Sequence, residues 1–134
     1  MLWKNLSLAF TAGCLGGLVN SIAVWLFGAL GINQALGVSL APHFTPAWLY
    51  PRLVWGGLWG LLFLLPLKGL TYTARGLLLS LGPTLGQLLV VFPLKAQQGL
   101  FGLQLGYLTP LLVLFFNAVW GIVAAYWLKL TRES

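Results

Sequence analysis

A chain of 134 residues with 6% charged and 60% hydrophobic residues is not a water-soluble domain, because ordinary globular domains carry about 25% charged residues. Its net charge of +6 comes from seven basic residues that stand singly at the ends of apolar runs, a pattern typical of membrane orientation signals rather than nucleic-acid binding. A single cysteine, a single histidine and a single acidic residue exclude an internal disulfide, a multi-cysteine metal site and a nucleophile–histidine–acid set.

Four long apolar runs predict four membrane-spanning helices in a single transmembrane domain that covers residues 1–134. Backbone N–H and C=O groups have no water to bond in hydrocarbon, so each run is expected to be helical. Two stretches without any Asp, Glu, Lys or Arg, residues 5–51 and 96–128, support this interpretation. The predicted fold is an all-α four-helix transmembrane bundle with spans at residues 6–30, 47–65, 72–92 and 107–128.

The segment between the first two spans, residues 31–45, is too polar and too short to cross a membrane. We expect an interfacial outer loop there, with room for a short helix at residues 33–40.

Prolines indicate where the later helices start, bend and end: Pro46 suits the first turn of the second span, Pro83 predicts a kink within the third, and Pro93 predicts its end.

The positive charges set the predicted orientation. Four spans place both ends of the chain on one face of the membrane, together with five basic residues, whereas Arg52 and Lys95 share the other face. Because basic residues concentrate on the cytoplasmic side, both ends are expected to be cytoplasmic, in a bacterial-type plasma membrane or an internal membrane. Tryptophans and tyrosines at the span ends fit this layout. The five basic residues are Lys4, Lys68, Arg75, Lys129 and Arg132.

Small residues at four-residue spacing form a face on every predicted span. In lipid, such faces let helix backbones approach closely, since the hydrophobic effect no longer drives helices together. The pattern favours packing among the four spans, and its alternative is a docking face for another chain or a copy of this one. The glycines concerned are Gly13 and Gly17 in the first span, Gly56 and Gly60 in the second, Gly82 and Gly86 in the third, and Gly121 in the fourth.

Three side-chain amides, Asn20, Gln87 and Asn117, are the polar groups nearest to the middle of the predicted membrane. An amide without a partner is costly in hydrocarbon, so we expect these groups to bond across the bundle or to backbone groups freed by Pro83. The alternative is a polar site for a lipid headgroup, a pigment or a substrate.

Arg52 and His43 are the ionisable candidates near the predicted outer interface. Arg52 shares a helix face with Trp55 and Trp59, and it is expected to anchor at lipid headgroups or to stack on Trp55. Phosphate binding by Arg52 is the alternative. His43 is expected to be a satisfied interfacial histidine, with axial ligation of haem or chlorophyll as the alternative.

The leading functional prediction is a non-catalytic structural or assembly subunit of a larger membrane complex, which packs through its glycine faces and contacts lipid or pigment. The alternative is a small homo-oligomeric transporter or channel for a neutral or anionic solute, lined by the three amides with Thr84 and Thr109. No Asp or Glu lies in a predicted span, and a lipid or quinone enzyme would have only His43 and Arg52 as ionisable groups. The expected partners are membrane lipids, other membrane subunits or copies of the chain, without nucleic acid, and the sequence assigns no cofactor.

Overall fold

The computed structural model describes residues 2–65, 67, 69–95, 97 and 99–132. These residues form helices and turns and contain no strand, which confirms the all-α prediction. In chain order the elements are α1 (Leu2–Ala29), α2 (Ile32–Ala35), α3 (Pro46–Gly60) with a 3₁₀-helix (Leu61–Leu64), α4 (Tyr72–Leu79), α5 (Leu81–Gly86) with a π-helix (Gln87–Lys95), a 3₁₀-turn (Leu100–Gly102) and α6 (Thr109–Arg132). Lys68, which the orientation prediction used, lies outside the described residues.

Three helical stretches are long and apolar enough to cross a membrane, namely Leu2–Ala29, Tyr72–Lys95 and Thr109–Thr131. They correspond to the first, third and fourth predicted spans, so the prediction of long apolar helices is confirmed for these three. The lengths follow from the sequence: each stretch is apolar for at least the roughly 20 residues that a spanning helix requires.

The second predicted span, residues 47–65, is built from α3 and its 3₁₀-helix rather than from one continuous α-helix. Helix α3 starts at a normal capping sequence, in which the Trp48 N–H donates to the Thr45 hydroxyl at 3.2 Å and Pro46 occupies the first turn. Its 15 residues rise about 22 Å. The 3₁₀-helix adds about 8 Å, so that the combined stretch reaches about 30 Å.

The third predicted span is broken at Ser80, between α4 and α5. Pro83 has no N–H to donate to the Leu79 carbonyl four residues earlier, so the helical hydrogen bonds are interrupted on its N-terminal side. The Thr84 hydroxyl donates to the Ser80 carbonyl at 2.8 Å and thereby satisfies a backbone group next to the break. The kink expected at Pro83 therefore takes the form of a break three residues earlier.

The π-helix carries the third stretch through Pro93 to Lys95, beyond the end that the sequence predicted at residue 92. A proline removes a single N–H donor. In a π-helix the remaining N–H groups bond five residues back, and the helix continues past Pro93 on those bonds.

The segment between α1 and α3, which the sequence predicted to be an interfacial loop, contains less helix than expected. Helix α2 has only four residues, because Gly37 takes a left-handed backbone conformation (φ 77°) that ends it within the expected range of residues 33–40. The Asn33 side-chain amide donates to the Leu40 carbonyl at 2.8 Å and closes the loop on itself. The Ser39 N–H donates to the Leu105 carbonyl at 2.8 Å, so the segment before α3 lies against the segment before α6.

Helix α1 packs along both α3 and α6, and α4 packs on α6. The α1–α3 contact joins backbone to backbone: a Cβ added to Gly13 would lie 2.8 Å from the Gly60 Cα and 2.9 Å from the Gly57 Cα. Helices α4 and α6 meet in the same way, since a Cβ on Gly76 would lie 2.7 Å from the Gly121 carbonyl carbon. At both contacts any side chain larger than hydrogen would push the helices apart.

The remaining glycines of the predicted faces also lie at contacts within this chain. A Cβ on Gly82 or Gly86 would lie 3.4 Å or 3.0 Å from the ring of Trp59 on α3. A Cβ on Gly56 would lie 3.2 Å from the Cα of Gly17 on α1. The chain's own helices therefore cover these small-residue faces.

Candidate polar site inside the helix bundle

A polar network of five side chains crosses the bundle and joins four helices. Arg52 on α3 starts it: its guanidinium donates from Nη2 to the Asn20 Oδ1 at 2.7 Å and from Nε to the Ser21 hydroxyl at 2.8 Å. Both acceptors lie on α1 and are buried. The members of the network are Arg52, Asn20, Ser21, Asn117 and Thr84.

The amide of Asn20 extends the network to α6. Its Nδ2 donates to the Phe116 carbonyl at 2.6 Å and lies 3.5 Å from the Asn117 Oδ1. Asn117 then donates from Nδ2 to the Thr84 hydroxyl on α5 at 3.1 Å. Each asparagine uses both its donor and its acceptor, and this satisfies two amides whose side chains are buried.

The small residues of α1 position this network. A Cβ on Gly17 would lie 3.0 Å from the backbone carbonyl oxygen of Arg52, so glycine is what allows α3 to come this close. Asn20 and Ser21 follow Gly17 by three and four residues and therefore occupy the same helix face, one turn further on. The close approach at Gly17 brings the Arg52 side chain within hydrogen-bond distance of that turn.

The aromatic partner of Arg52 differs from the one that the sequence suggested. The guanidinium carbon lies 4.7 Å from the ring centroid of Trp48, within cation–π distance, whereas Trp55 is 58% exposed on the outside of the bundle. Side chains on a helix lean toward its N-terminus, so Arg52 reaches Trp48 four residues earlier rather than Trp55 three residues later. The predicted stacking on Trp55 is thus replaced by stacking on Trp48.

A cavity of about 40 Å³, which we call the Arg52 cavity, lies beside the network. One water needs roughly 10–15 Å³ by this measure, so the cavity has room for about three water-sized groups. Gln87, the third amide named from the sequence, lines this cavity together with Arg52 but is not a member of the network. The lining residues are Asn20, Trp48, Arg52 and Gln87, with the apolar Val24, Leu40, Pro42, Val113 and Phe116.

The cavity exists because the side chains of α3 fill the space facing the third helical stretch near one end of α3 but not near the other. Nearer the end of α3, Trp59 fills the space against Gly82 and Gly86. Arg52 precedes Trp59 by two helical turns and occupies the same face. Its guanidinium bonds to α1 instead of filling that space, so the region in front of Gln87 stays open.

Arg52 has no carboxylate partner among the described residues. The sequence has one acidic residue, Glu133, and it follows α6 in the chain. The network meets α6 at Asn117, and the helix rises about 22 Å from there to its last residue, Arg132. Among the described residues, the partners of the Arg52 guanidinium are therefore an amide, a hydroxyl and the Trp48 ring, none of which carries a negative charge. A charge held inside a helix bundle without a counter-ion is costly, and such a group is a candidate for function.

His43, Cys14 and Thr109 stand outside this site. His43 is exposed in the segment between α2 and α3 and does not line the Arg52 cavity, and Cys14 is half-buried on α1. Thr109 is buried, and its hydroxyl finds no hydrogen-bond partner among the described residues. Within the described ranges no three His, Cys, Asp or Glu side chains come together as metal ligands.

Sequence reasoning expected Asn20 and Asn117 to bond across the bundle but did not link them to Arg52, and it missed Ser21 and Trp48 as partners of the guanidinium. The spacing contained a signal for both residues. Ser21 continues the small-residue row of Gly13 and Gly17, and Trp48 precedes Arg52 by one helical turn.

The site offers hydrogen-bond donors and one fixed positive charge, which is the chemistry that holds an anionic or polar group. Away from Arg52, the hydrogen bonds of the network join neutral side chains to one another or to backbone carbonyls.

Comparison with known protein families, with curated proteins and with solved structures finds no match for this chain.

Proposed function

We propose that the chain is a multi-pass membrane protein with four crossings and with both ends in the cytoplasm. The length of α3 with its 3₁₀-helix, about 30 Å, supports a second crossing in addition to the three long helices. Large apolar side chains are exposed along the helices, among them Leu26 at 41% and Leu111 at 63%, and lipid tails would solvate them. Exposed aromatic residues near helix ends, such as Trp3 at 82% and Tyr107 at 89%, suit the membrane interfaces.

Within the membrane, we propose a non-catalytic assembly subunit that holds a transmembrane helix of a partner chain. The observation that carries this proposal is an open apolar groove of about 380 Å³ on the α1–α6 side, which we call the α1–α6 groove. Its lining residues are Leu15, Ile122, Val123, Tyr126, Trp127 and Leu130. The glycine faces are occupied within the chain, so a partner would pack here and not on the glycines.

The apolar lining of the α1–α6 groove is the reason to expect a helix in it. Association in lipid depends on van der Waals packing, because lipid tails are as apolar as the side chains that line the groove. Two of its lining residues, Tyr126 and Ile122, are 60% and 42% exposed. A partner helix would pack large side chains between them, whereas flexible lipid tails would pack less completely.

Site-specific photo-crosslinking in the native membrane tests this role. A benzophenone amino acid at Tyr126 is expected to give a discrete crosslinked product with a second polypeptide, which mass spectrometry would identify. Leu58, which is 43% exposed on α3, provides the matched control on another face. If Tyr126 and Leu58 gave the same lipid-only labelling, and the protein purified as a lone monomer without a bound partner, the assembly role would be wrong.

A second candidate, a homo-oligomeric transporter or channel for an anionic solute, is favoured by the Arg52 cavity. Asn117 bonds to both Asn20 and Thr84, so these side chains are occupied within the chain. A solute path would therefore pass Arg52 and Gln87, which line the Arg52 cavity. Anion flux into liposomes is the test, with Arg52→Gln as the variant and Arg75→Gln as the control. Flux no greater than in protein-free liposomes would remove this candidate.

A further inference from the structure

We propose that the Arg52 cavity is a binding site for a phosphate group, which an anionic phospholipid or a free phosphate ion would supply. This inference goes beyond the assembly role, since it requires neither a partner chain nor transport of a solute. Its basis is the combination of an uncompensated guanidinium, unused donors and a cavity beside them.

The guanidinium of Arg52 carries a positive charge that no anion among the described residues neutralises. Arg52 is half-buried between α1 and α3, and no described carboxylate pairs with it. Neutral dipoles from Asn20 and Ser21 satisfy two donors but leave the full positive charge in place. A bound anion would neutralise that charge inside a medium of low dielectric, where the attraction is stronger than in water.

Arg52 and Gln87 have N–H donors that the polar network does not use. A guanidinium has five N–H donors in a planar fork that suits the oxygens of phosphate. The bonds to Asn20 and Ser21 account for two of the nitrogen atoms, Nη2 and Nε, and no described residue accepts a bond from Nη1. Gln87 adds a side-chain amide to the same cavity, and it makes no hydrogen bond with the polar network. Phosphate oxygens could therefore accept from Arg52 and Gln87 without breaking the network.

The size and place of the cavity also suit a phosphate group. Its volume of about 40 Å³ accommodates a few oxygen-sized atoms, and Leu40 and Pro42 of the outer loop form part of its wall. Arg52 lies six residues into α3, about 9 Å along the helix from its start. A lipid phosphate at the outer interface is within reach of a side chain that leans toward that end of the helix.

Lipid binding would be measured on the full chain in nanodiscs of phosphatidylcholine with and without phosphatidylglycerol, followed by native mass spectrometry. We expect retained phosphatidylglycerol, and about a tenfold or greater loss of retention in Arg52→Gln, as removal of a charge-assisted hydrogen bond predicts. Arg75→Gln is the matched control, because Arg75 donates to the Phe63 carbonyl at 2.9 Å and does not line the cavity.

Free phosphate would be measured by titrating inorganic phosphate into the protein in phosphatidylcholine nanodiscs. Trp48 lies 4.7 Å from the guanidinium, so its fluorescence should report occupancy, and Trp48→Phe should remove that signal. A response that depends on Arg52 in this experiment assigns the site to the free ion. Retention of phosphatidylglycerol that depends on Arg52, without a phosphate response, assigns it to lipid.

Arg52→Gln also removes bonds to α1, so a second variant keeps the proposal falsifiable if that protein does not fold. Gln87→Leu leaves every bond of the polar network intact and puts an apolar side chain into the cavity. We expect it to weaken the same binding while the thermal unfolding temperature stays close to that of the unaltered protein. The proposal is wrong if neither ligand binds, if Gln87→Leu binds as well as the unaltered protein, or if Arg75→Gln loses as much binding as Arg52→Gln.

Discussion

Arg52 and Asn20 face each other across the α1–α3 contact, and the guanidinium Nη2 donates to the amide oxygen at 2.7 Å. The same amide donates to the Phe116 carbonyl at 2.6 Å, so one asparagine joins α1 to both α3 and α6. The neighbouring glycine contacts bring the helices close together, but glycine has no side chain that could fix the rotation of one helix relative to another. The hydrogen bonds of Asn20 fix that rotation.

Replacing Asn20 should destabilise the bundle more than replacing Asn117. Asn20→Leu removes an acceptor from a charged donor and also the side-chain bond to the Phe116 carbonyl, at an expected cost of about 2–3 kcal/mol. Asn117→Leu removes weaker neutral bonds and should cost about 1 kcal/mol, since the Thr84 hydroxyl keeps its bond to Ser80. Steric trapping in detergent would measure the free energy of unfolding.

The control for these asparagine variants is Thr11→Val, which changes an exposed polar residue on α1. It should alter the free energy of unfolding by less than about 0.5 kcal/mol. Equal effects of Asn20→Leu and Thr11→Val would show that the polar network contributes nothing to stability.

Gly13→Ala should disrupt the α1–α3 contact. The new methyl group would lie 2.8 Å from the Gly60 Cα and 2.9 Å from the Gly57 Cα, and backbone atoms cannot move aside without separating the helices. Overpacking of this kind costs about 1–3 kcal/mol. Because the helices would part near Gly17 as well, the bond between Arg52 and Asn20 should lengthen, and the free energy of unfolding should fall.

Gly86→Ala is the matched comparison for Gly13→Ala. Its methyl group would lie 3.0 Å from the edge of the half-buried Trp59 ring, and a side chain can shift by a few tenths of an ångström more easily than a backbone can. We expect a loss of less than about 1 kcal/mol, measured in the same steric-trapping assay. A larger loss for Gly86→Ala than for Gly13→Ala would contradict the assignment of the α1–α3 contact.

Trp120→Phe should destabilise the α1–α6 contact. The indole N–H of Trp120 donates to the Gly13 carbonyl at 3.1 Å, and the side chain is 3% exposed. Loss of the bond and of part of the ring should cost about 1–2 kcal/mol in the free energy of unfolding. Trp55→Phe changes a ring that is 58% exposed and should be close to neutral, so a similar loss in both variants would contradict the packing described here.

The sequence predicted the helices well because their signals are local. Long uncharged apolar runs, Thr45 with Pro46 at a helix start, and Pro83 within a helix each act through neighbouring backbone groups. The spacing of Gly13, Gly17, Gly56 and Gly60 also reflects a local property, the shape of one helix face. These features are independent of which other helix lies opposite.

The polar site was only partly predictable, because its geometry depends on contacts between distant parts of the chain. The amides of Asn20 and Asn117 were recognisable as costly groups in need of partners. Their contact, in which the Asn20 Nδ2 donates to the Asn117 Oδ1 at 3.5 Å, depends on the rotation of α6 against α1, which no spacing in the sequence specifies. The bonds of Arg52 to Asn20 and Ser21 were not predicted, because nothing in the sequence indicates that α3 approaches α1 closely at Gly17.

The number of crossings tests the central claim most directly. In a Cys14→Ala background, single cysteines at Lys4, His43, Lys95 and Lys129 would be treated with a membrane-impermeant maleimide in intact cells. Four crossings require that positions 43 and 95 are labelled and that positions 4 and 129 are labelled only after the membrane is opened. Labelling of position 4 on one face and position 129 on the opposite face would mean an odd number of crossings and would contradict this account.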